Sequence, residues 1–350
     1  MKRVAIVYGG RSSEHSISCV SAGSILAAID RDRFEPIAIG IDEKGVWSVQ
    51  SGDPSTLRIV DGLLPTVRAT EAVVRPAPGA GLAGIAPVDV VFPVLHGPYG
   101  EDGTVQGLLE LLDLPYVGSG VLASSVAMDK GAMKSMLRAA GLPVGPSVVI
   151  TDAQWGRDRD ACLARIAELG LPVFVKPVRA GSSRGIAKVD APADLSAAID
   201  AARAHDPQVI VEASIEGMRE IECGVMGDAG GPRASRCAEI VVHGHAFYDF
   251  EAKYLDDSAE LIVPAALDAA IEERVRAMAI DAFDALGCEG LARVDFFVRG
   301  EDILINELNT MPGFTPISMF PRAWEATGVG YRELITRLID DALRRGTGLR

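Results

Sequence analysis

The chain has 350 residues, of which 48% are hydrophobic and 23% charged, and its formal net charge at pH 7 is −14. A chain of this length is expected to form two or three domains, and its composition excludes an intrinsically disordered protein. The acidic balance argues against a nucleic-acid partner, which requires a basic surface, but not against a single nucleotide bound by local lysines and Mg²⁺.

Cysteine usage and hydropathy predict a cytoplasmic protein. The five cysteines are scattered, odd in number and without metal-type spacing, as expected of reduced thiols in a core. The first ten residues have the pattern of a short apolar strand entering a Gly-Gly turn, which differs from that of a signal peptide. The sequence has no apolar run of about 18 residues or more, so we expect no membrane span.

Residues 1–120 alternate predicted strands with predicted helices. This βαβ alternation is typical of a doubly wound parallel α/β domain. Residues 50–86 are rich in Gly, Pro, Ala and Thr and have weak periodicity, so we expect an irregular insertion on the surface. The predicted elements are, in order, Val4–Tyr8, Ser16–Ile29, Pro36–Ile41, Val88–Leu95 and Gly103–Leu112.

Two further units of mixed α+β type are predicted after residue 120. Two helices are followed by a β-α-β-β-α-β order that ends near Glu212, with one of its helices at Asp158–Leu169. Several antiparallel-looking strands, a helix at Asp268–Leu286 and two C-terminal helices complete the chain. The predicted domains are therefore 1–120, 121–217 and 218–350.

The segment from Val294 to Pro312 carries the strongest functional signal. Asp295 lies in one apolar run, and Glu307 and Asn309 end the next, with a turn at Arg299–Asp302 between them. Residues two apart on a strand share a face, so the three side chains can converge. Oxygen donors without His or Cys suit a hard cation such as Mg²⁺. A solvated acidic hairpin is the alternative, but carboxylates set among buried residues need a partner.

Two glycine-rich loops follow strands of the first domain. Gly9–Ser18 leads from a strand into a helix, where open α/β sheets bind ligands. Ser12 or Ser13 could simply cap that helix, and Glu14 in its first turn could interact with the helix dipole or bind an ammonium group. The loop His96–Gly107 combines glycines with His, Glu, Asp and Gln and has a functional composition, although a lone histidine at a strand end is more often structural.

Two later segments suggest nucleotide handling. In Phe174–Gly185, Lys176 ends a strand and precedes a Gly/Ser-rich loop whose N–H groups and hydroxyls can fold over phosphates. The order differs from a P-loop because the lysine precedes the glycines. Phe247–Tyr254 mixes aromatic and charged residues without a clear period and could be either ordinary surface or an active-site lid.

Together these segments resemble the D-alanine–D-alanine ligase family of the ATP-grasp superfamily. The resemblance covers nearly the whole chain in the same order, and residues 97–130 are close to the family signature. It implies an ATP-grasp fold, in which an N-terminal α/β domain precedes central and C-terminal α+β domains that hold ATP between them.

The resemblance also implies a reaction, its cofactors and its partners. ATP would phosphorylate the carboxylate of one D-alanine, and the amine of a second D-alanine would attack the acyl phosphate to give the dipeptide used in peptidoglycan. Phosphorylation turns a poor acyl donor into a good one, and two Mg²⁺ or Mn²⁺ ions would neutralise the charge that develops. The expected assembly is a homodimer without nucleic acid or membrane.

For the metal and the nucleotide, the resemblance assigns residues of the second and third domains. Asp295, Glu307 and Asn309 would hold the metal ions. Glu212 would contact the adenine edge, and Glu220 the ribose. The phosphates would be contacted by Lys130, Lys176, Lys253 and Ser183.

For the first amino acid, the resemblance assigns Glu14 to its ammonium group. Ser182 and Tyr254 would join Glu14 in a hydrogen-bonded triad that closes the lid over the reaction. His96 would lie near the reacting centre.

For the second amino acid, the resemblance assigns Ser318 and the backbone of Met319 to its carboxylate. Arg293 and the backbone N–H of Gly313 would stabilise the oxyanion of the tetrahedral intermediate.

Three functions stay open at this point. D-alanine is the favoured nucleophile because a phenol at Tyr254 would not repel an ammonium group, as a charged imidazole would. A ligase forming D-alanyl-D-lactate or D-alanyl-D-serine is the alternative enzyme. A catalytically silent ATP-binding regulator on the same scaffold is disfavoured because no candidate metal ligand, lysine or oxyanion residue is missing.

Overall fold

The computed structural model describes residues 1–181, 185–242 and 259–348. Within these ranges three larger sheets follow one another along the chain, each with its own helices. The same ranges contain no helix with the length and apolar content needed to cross a bilayer.

The first sheet is mainly parallel, as predicted. Its strands run in the order β3-β2-β1-β6, with β1 parallel to both β2 and β6 and with β3 as an antiparallel edge. From Val4 to Tyr8, β1 is buried throughout, as expected of a parallel strand covered on both faces. The elements are β1 (Lys2–Gly9), α1 (His15–Ala28), β2 (Phe34–Ile41), β3 (Trp47–Val49), β4 (Arg75–Ala77), β5 (Gly81–Ala83), β6 (Val90–Val94) and α2 (Thr104–Leu111).

Residues 50–86 contain only short elements, among them the paired strands β4 and β5, and the expectation of an irregular surface insertion is wrong for part of them. Leu57 and Val67 are buried in the core of the first sheet. The buried His15 joins this segment to the sheet, because its Nδ1–H donates to the Gly10 carbonyl at 2.7 Å and its Nε2 accepts from the Val67 N–H at 2.9 Å. Isolated apolar residues without a period give no sequence signal of such burial.

The second sheet is antiparallel, in the order β7-β10-β8-β9. The helix predicted at Asp158–Leu169 is confirmed as Arg159–Ala167, with Asp158 as its N-cap, because the Asp158 carboxylate accepts from the Ala161 N–H. A short helix at Asp152–Arg157, just before it, was not predicted. The elements are α3 (Val121–Met128), α4 (Lys130–Ala139), β7 (Ser147–Thr151), α5 (Asp152–Arg157), α6 (Arg159–Ala167), β8 (Val173–Pro177), β9 (Ala187–Val189), α7 (Leu195–Arg203) and β10 (Gln208–Ala213).

The third sheet is antiparallel, in the order β13-β12-β11-β14-β15, and contains the predicted acidic hairpin as β14 and β15. The elements are β11 (Arg219–Met226), β12 (Arg233–Val242), β13 (Ala259–Ile262), α8 (Ala269–Ala285), β14 (Leu291–Arg299), β15 (Asp302–Asn309), α9 (Met319–Glu325) and α10 (Tyr331–Arg345).

Two shared cores join these units. The C-terminal residues around Phe314 and helices α9 and α10 pack on the first sheet, where Phe314 meets Phe92 edge to face with ring centroids 5.7 Å apart. Helices α3 and α4, which the predicted boundaries assign to the second unit, pack against the third sheet. The boundaries at 120 and 217 stay predictions, but the packing holds the carboxyl ends of the first sheet beside the acidic hairpin.

Candidate functional site

A cleft of about 540 Å³ lies where the three units meet. Polar side chains from every unit line it, although they are far apart in the sequence. The first unit contributes Glu14, His96 and Glu101, the second Lys130, Lys134, Lys176 and Glu212, and the third Glu220, Glu222, Arg293, Asp295, Glu307 and Asn309.

A β-bulge directs the acidic residues of β15 into the cleft. Asp295 pairs with Glu307, but the next residue, Phe296, pairs with Ile305, so Asn306 is the extra residue. The bulge reverses the alternation of faces along β15, which places Leu308 in the core and leaves Glu307 and Asn309 together on the cleft face. Asp295, Glu307 and Asn309 therefore lie on the same face of the cleft, and their role as metal ligands stays a prediction.

The oxygen donors fit a hard cation. The Asn309 amide donates to Asp295 Oδ2 at 3.2 Å, and the Lys130 ammonium lies 3.6 Å from Glu307 Oε2. Two carboxylates and an amide oxygen are ligands that Mg²⁺ accepts while it keeps water and phosphate oxygens. Within the described ranges, no group of three or more His, Cys, Asp or Glu side chains is placed to hold a metal. Asn309 is thus needed to complete the predicted set.

Arg293 lies between two carboxylates. Its Nε is 2.6 Å from Asp295 Oδ1 and 3.2 Å from Glu222 Oε2, and its Nη2 is 2.7 Å from Asp295 Oδ2. Burial alone would lower the pKa of Arg293, but Asp295 and then Glu222 raise it well above the usual value. Arg293 is therefore a fixed cation at the edge of the candidate metal set, while its predicted oxyanion role stays a prediction.

A cluster of two lysines and one glutamate lies across the cleft, with Lys134 and Glu212 buried and Lys176 partly buried. Glu212 Oε1 is 2.8 Å from the Lys134 ammonium, and Oε2 is 2.6 Å from that of Lys176. Burial alone would raise the pKa of Glu212, but Lys176 and Lys134 together hold it well below its usual range. Burial lowers the pKa of Lys134 despite this partner. Two cations on one anion leave positive charge for a phosphate.

Lys134, which is only 2% exposed, was not predicted from the sequence. It lies four residues after Lys130 on α4, so the two ammonium groups leave the same helix face. A lysine on the same helical face as a candidate phosphate ligand was the available signal. The Lys130 ammonium donates to the Ala180 carbonyl at 3.0 Å, just before the Gly/Ser-rich loop.

Glu14 lies at the start of α1, where its carboxylate packs against Gly97 and Gly181. The helix begins at His15, so Glu14 is the N-cap residue. The sequence predicts Glu14 inside the first turn, which is wrong by one position. The alternative of a cap by Ser12 or Ser13 is not observed, because the Ser12 hydroxyl accepts from the Glu14 N–H, which precedes the helix. A Cβ at Gly97 would lie 2.6 Å from Glu14 Oε2, so a larger residue there would displace the carboxylate.

His96 is buried and Glu101 half-buried beside Glu14. The Met311 carbonyl can only accept, so His96 Nδ1 carries the proton at 3.0 Å and Nε2 accepts from the Ser21 hydroxyl at 3.2 Å. Burial lowers the pKa of His96, which keeps the imidazole neutral. Burial and then the Glu14 carboxylate raise the pKa of Glu101 to about 8. Glu101 accepts from the Gly97 N–H at 2.7 Å and had been given no role from sequence.

Gly313, Ser318 and Met319 form the far wall. The Ser318 hydroxyl accepts from the Thr315 N–H at 3.1 Å and lies 2.8 Å from the Thr315 hydroxyl. A Cβ at Gly313 would lie 3.1 Å from that same Ser318 oxygen, so the two predicted residues are adjacent. Met319 begins α9, and both it and Ser318 line the cleft.

Some predicted site residues lie outside the described residues. These are Ser182, Ser183, Lys253 and Tyr254, together with the lid predicted at Phe247–Tyr254. Glu220, predicted for the ribose, is described and lines the cleft near Lys176.

Comparison with known proteins agrees with this geometry. Family models described as D-ala D-ala ligase N-terminus and C-terminus match residues 3–119 and 136–340. A D-alanine–D-alanine ligase of Mycolicibacterium vanbaalenii is 56% identical, with 99% of both chains covered. Among solved structures, a D-alanine–D-alanine ligase of Coxiella burnetii superposes with a TM-score of 0.84 at 33% identity, covering 98% of this chain and 94% of that chain.

A second solved structure is the VanG D-Ala:D-Ser ligase of Enterococcus faecalis, with a TM-score of 0.85 and 36% identity over 97% of this chain and 99% of that chain. These matches confirm the resemblance and the ATP-grasp fold expected from the sequence. The chain belongs to the D-alanine–D-alanine ligase family.

Proposed function

We propose that this chain is an ATP-dependent ligase that joins two D-alanines through a D-alanyl phosphate, for peptidoglycan precursor synthesis. The observation that carries the proposal is the meeting of three chemistries in one cleft. The lysine cluster, the oxygen donors of the hairpin and the Glu14–His96 corner come from three different sheets. A relative named D-alanine–D-alanine ligase, 56% identical over its full length, supports the same activity.

The nucleotide binds between the second and third sheets. Lys130 and Lys176 face the phosphates, and Glu212 keeps Lys176 charged and fixed in the buried wall through their 2.6 Å ion pair. Because Lys134 shares the same carboxylate, the cluster stays cationic and attracts the triphosphate. Glu212 and Glu220 are available on this side for the adenine edge and the ribose.

Asp295, Glu307 and Asn309 are the residues that would hold Mg²⁺ or Mn²⁺. When bound, the cation neutralises charge on the phosphates during phosphoryl transfer. Asn309 orients Asp295 through their hydrogen bond, and Lys130 balances the charge of Glu307 from the neighbouring helix. The bulge at Asn306 is therefore a functional feature of the hairpin, since without it Glu307 and Asn309 would not both face the cleft.

The amino acids bind on the side of the first sheet. Glu14 offers a carboxylate for the ammonium group of the first D-alanine, and the buried neutral His96 adds no positive charge that would repel an amine. Arg293 and the Gly313 N–H stabilise the oxyanion of the tetrahedral intermediate. Ser318, next to Gly313, and the backbone of Met319 hold the carboxylate of the second D-alanine.

A second candidate is a ligase that uses D-serine as the nucleophile. The 36% identical structure of a D-Ala:D-Ser ligase favours it. D-alanine remains the preferred nucleophile because of Tyr254. A neutral phenol does not repel the ammonium group of a second amino acid, whereas a charged imidazole would. D-lactate is the least favoured for the same reason. A silent regulator is disfavoured because the described candidate ligands of metal and phosphate all face the cleft.

The test is phosphate release from ATP with D-alanine alone and with D-serine or D-lactate as second substrate, at pH 6 and pH 8. We expect dipeptide formation with D-alanine in the presence of Mg²⁺ and its loss on chelation. A clear preference for D-lactate would overturn the assignment of Tyr254. ATP binding without any condensation would instead support the regulator.

Two further properties implied by the family are included in the proposal. We expect a homodimer, which sedimentation velocity tests, and a cytoplasmic location, which fractionation of the producing cell tests. A monomer at micromolar concentration would contradict the first of these expectations.

A further inference from the structure

Three carboxylates lie side by side on one face of the third sheet. Glu222 on β11 is the cross-strand partner of Asp295 on β14, which is in turn the partner of Glu307 on β15. Directly opposed residues of an antiparallel sheet point to the same face, and like charges in such positions repel. Glu222 is only 6% exposed, so its charge cannot be left to solvent. The row therefore needs a compensating cation.

Arg293 supplies that cation from the neighbouring row. Its Nε lies 2.6 Å from Asp295 Oδ1 and 3.2 Å from Glu222 Oε2, so one guanidinium serves both carboxylates. Asp295 is also a candidate metal ligand, and a carboxylate engaged by a cation shares less of its charge with an arginine. Glu222 has no part in the proposed metal set or in substrate binding. Its contact with Arg293 thus has no explanation in the chemistry described above.

We propose that Glu222 is a positioning residue, which retains the Arg293 guanidinium in the cleft when Asp295 engages a divalent cation. This inference rests on the proposed function. Without Glu222 the guanidinium stays on Asp295, and a divalent cation must displace the guanidinium to reach the Asp295 carboxylate. Loss of Glu222 also removes one negative charge from the cation-binding face. Both effects weaken cation binding and misplace the arginine that faces the oxyanion.

The experiment compares Glu222→Gln and Glu222→Asp with a matched control, Glu239→Gln. Glu239 is 7% exposed, and its carboxylate accepts from Nε and Nη2 of Arg219 at 2.7 and 2.6 Å. It pairs with Ile221 and so points away from the face of Glu222. The control therefore loses the same kind of buried ion pair in the same sheet without touching the cleft.

Two readouts are needed, on the full-length protein with ADP present. Mn²⁺ binding is measured by electron paramagnetic resonance, and kcat and the KM for ATP are measured at saturating Mg²⁺. For Glu222→Gln we expect the Kd for Mn²⁺ to rise about 10-fold and kcat to fall about 10-fold, as for residues that orient metal ligands. The KM for ATP should change less than about threefold, because the variant leaves the lysine cluster and its Glu212 partner unchanged.

The conservative variant and the control decide between positioning and simple packing. Glu222→Asp retains the charge and should recover most of the Mn²⁺ affinity. If Glu222→Gln does not fold, Glu222→Met, which also removes the charge, takes its place in the comparison. Glu239→Gln should leave Mn²⁺ binding unchanged. Wild-type Mn²⁺ affinity in both Glu222 variants would overturn the inference. Absence of ligase activity in the wild type would overturn the proposed function instead, while the Mn²⁺ comparison would still test Glu222.

Discussion

Substitution of Gly97 by alanine is expected to impair binding of the first D-alanine without unfolding the protein. A Cβ at this position would lie 2.6 Å from Glu14 Oε2 and 2.5 Å from the Ser12 hydroxyl, and real Cβ contacts are essentially never under 3.0 Å. The Glu14 carboxylate must therefore move by roughly 0.4 Å or more. A misplacement of about 1 Å can cost about 10²-fold in rate, so we expect about a 10-fold loss in kcat/KM for D-alanine.

Gly79→Ala is the matched control for this substitution. Gly97 has φ +74° and Gly79 has φ +76°, but nothing lies within 4 Å of a Cβ at Gly79. Both variants carry the left-handed cost of an L-residue, about 1 kcal/mol, which lowers Tm by about 2 °C in a chain of this size. Only Gly97→Ala adds the collision with Glu14. The difference between the two variants therefore measures the displacement alone.

The assay is initial-rate phosphate release as a function of D-alanine concentration at saturating ATP, alongside thermal unfolding of both variants. The expected result is similar Tm values and a lower kcat/KM for Gly97→Ala alone. Equal kinetics in the two variants would refute the reasoning, because Glu14 would then have no contact with the substrate ammonium group. A large fall in Tm confined to Gly97→Ala would show that the cost is structural.

Three further predictions concern the cleft. Glu307→Gln should lower turnover by about 10²-fold, as for the loss of one preorganised electrostatic group, and unchanged turnover would place the metal elsewhere. Lys134→Met should raise the KM for ATP by about 10-fold, as for one lost charge-assisted contact around Glu212, and a KM like that of the wild type would contradict this. Glu101 has a folded-state pKa raised from 4.5 to about 8, so the folded protein keeps a proton that the unfolded chain releases, and stability is lost as pH rises through this window. The Tm of Glu101→Gln relative to that of the wild type should therefore increase between pH 5 and pH 8. An equal Tm difference at both pH values would contradict the assigned pKa.

The acidic hairpin shows how far local sequence determines structure. The turn at Arg299–Asp302 and the two flanking apolar runs predict β14 and β15 with nearly correct bounds. The same is true of β1, whose continuous apolar run predicts a buried parallel strand. These features depend on residues that are neighbours in the chain, so the period and the turn chemistry are sufficient. The order of the motifs was specific enough to identify the family.

The contacts that make the cleft depend instead on how the three units pack. The pairing of Lys134 with Glu212, the sharing of Arg293 between Asp295 and Glu222, and the anchoring of Val67 by His15 have no local signature. Each joins side chains from different elements, and a buried charge reveals its partner only once the elements have been assembled. The sequence by itself therefore determined the strands, the family and the candidate ligands. The tertiary structure alone decided which charges neutralise one another, because that depends on distances across the cleft that no local pattern encodes.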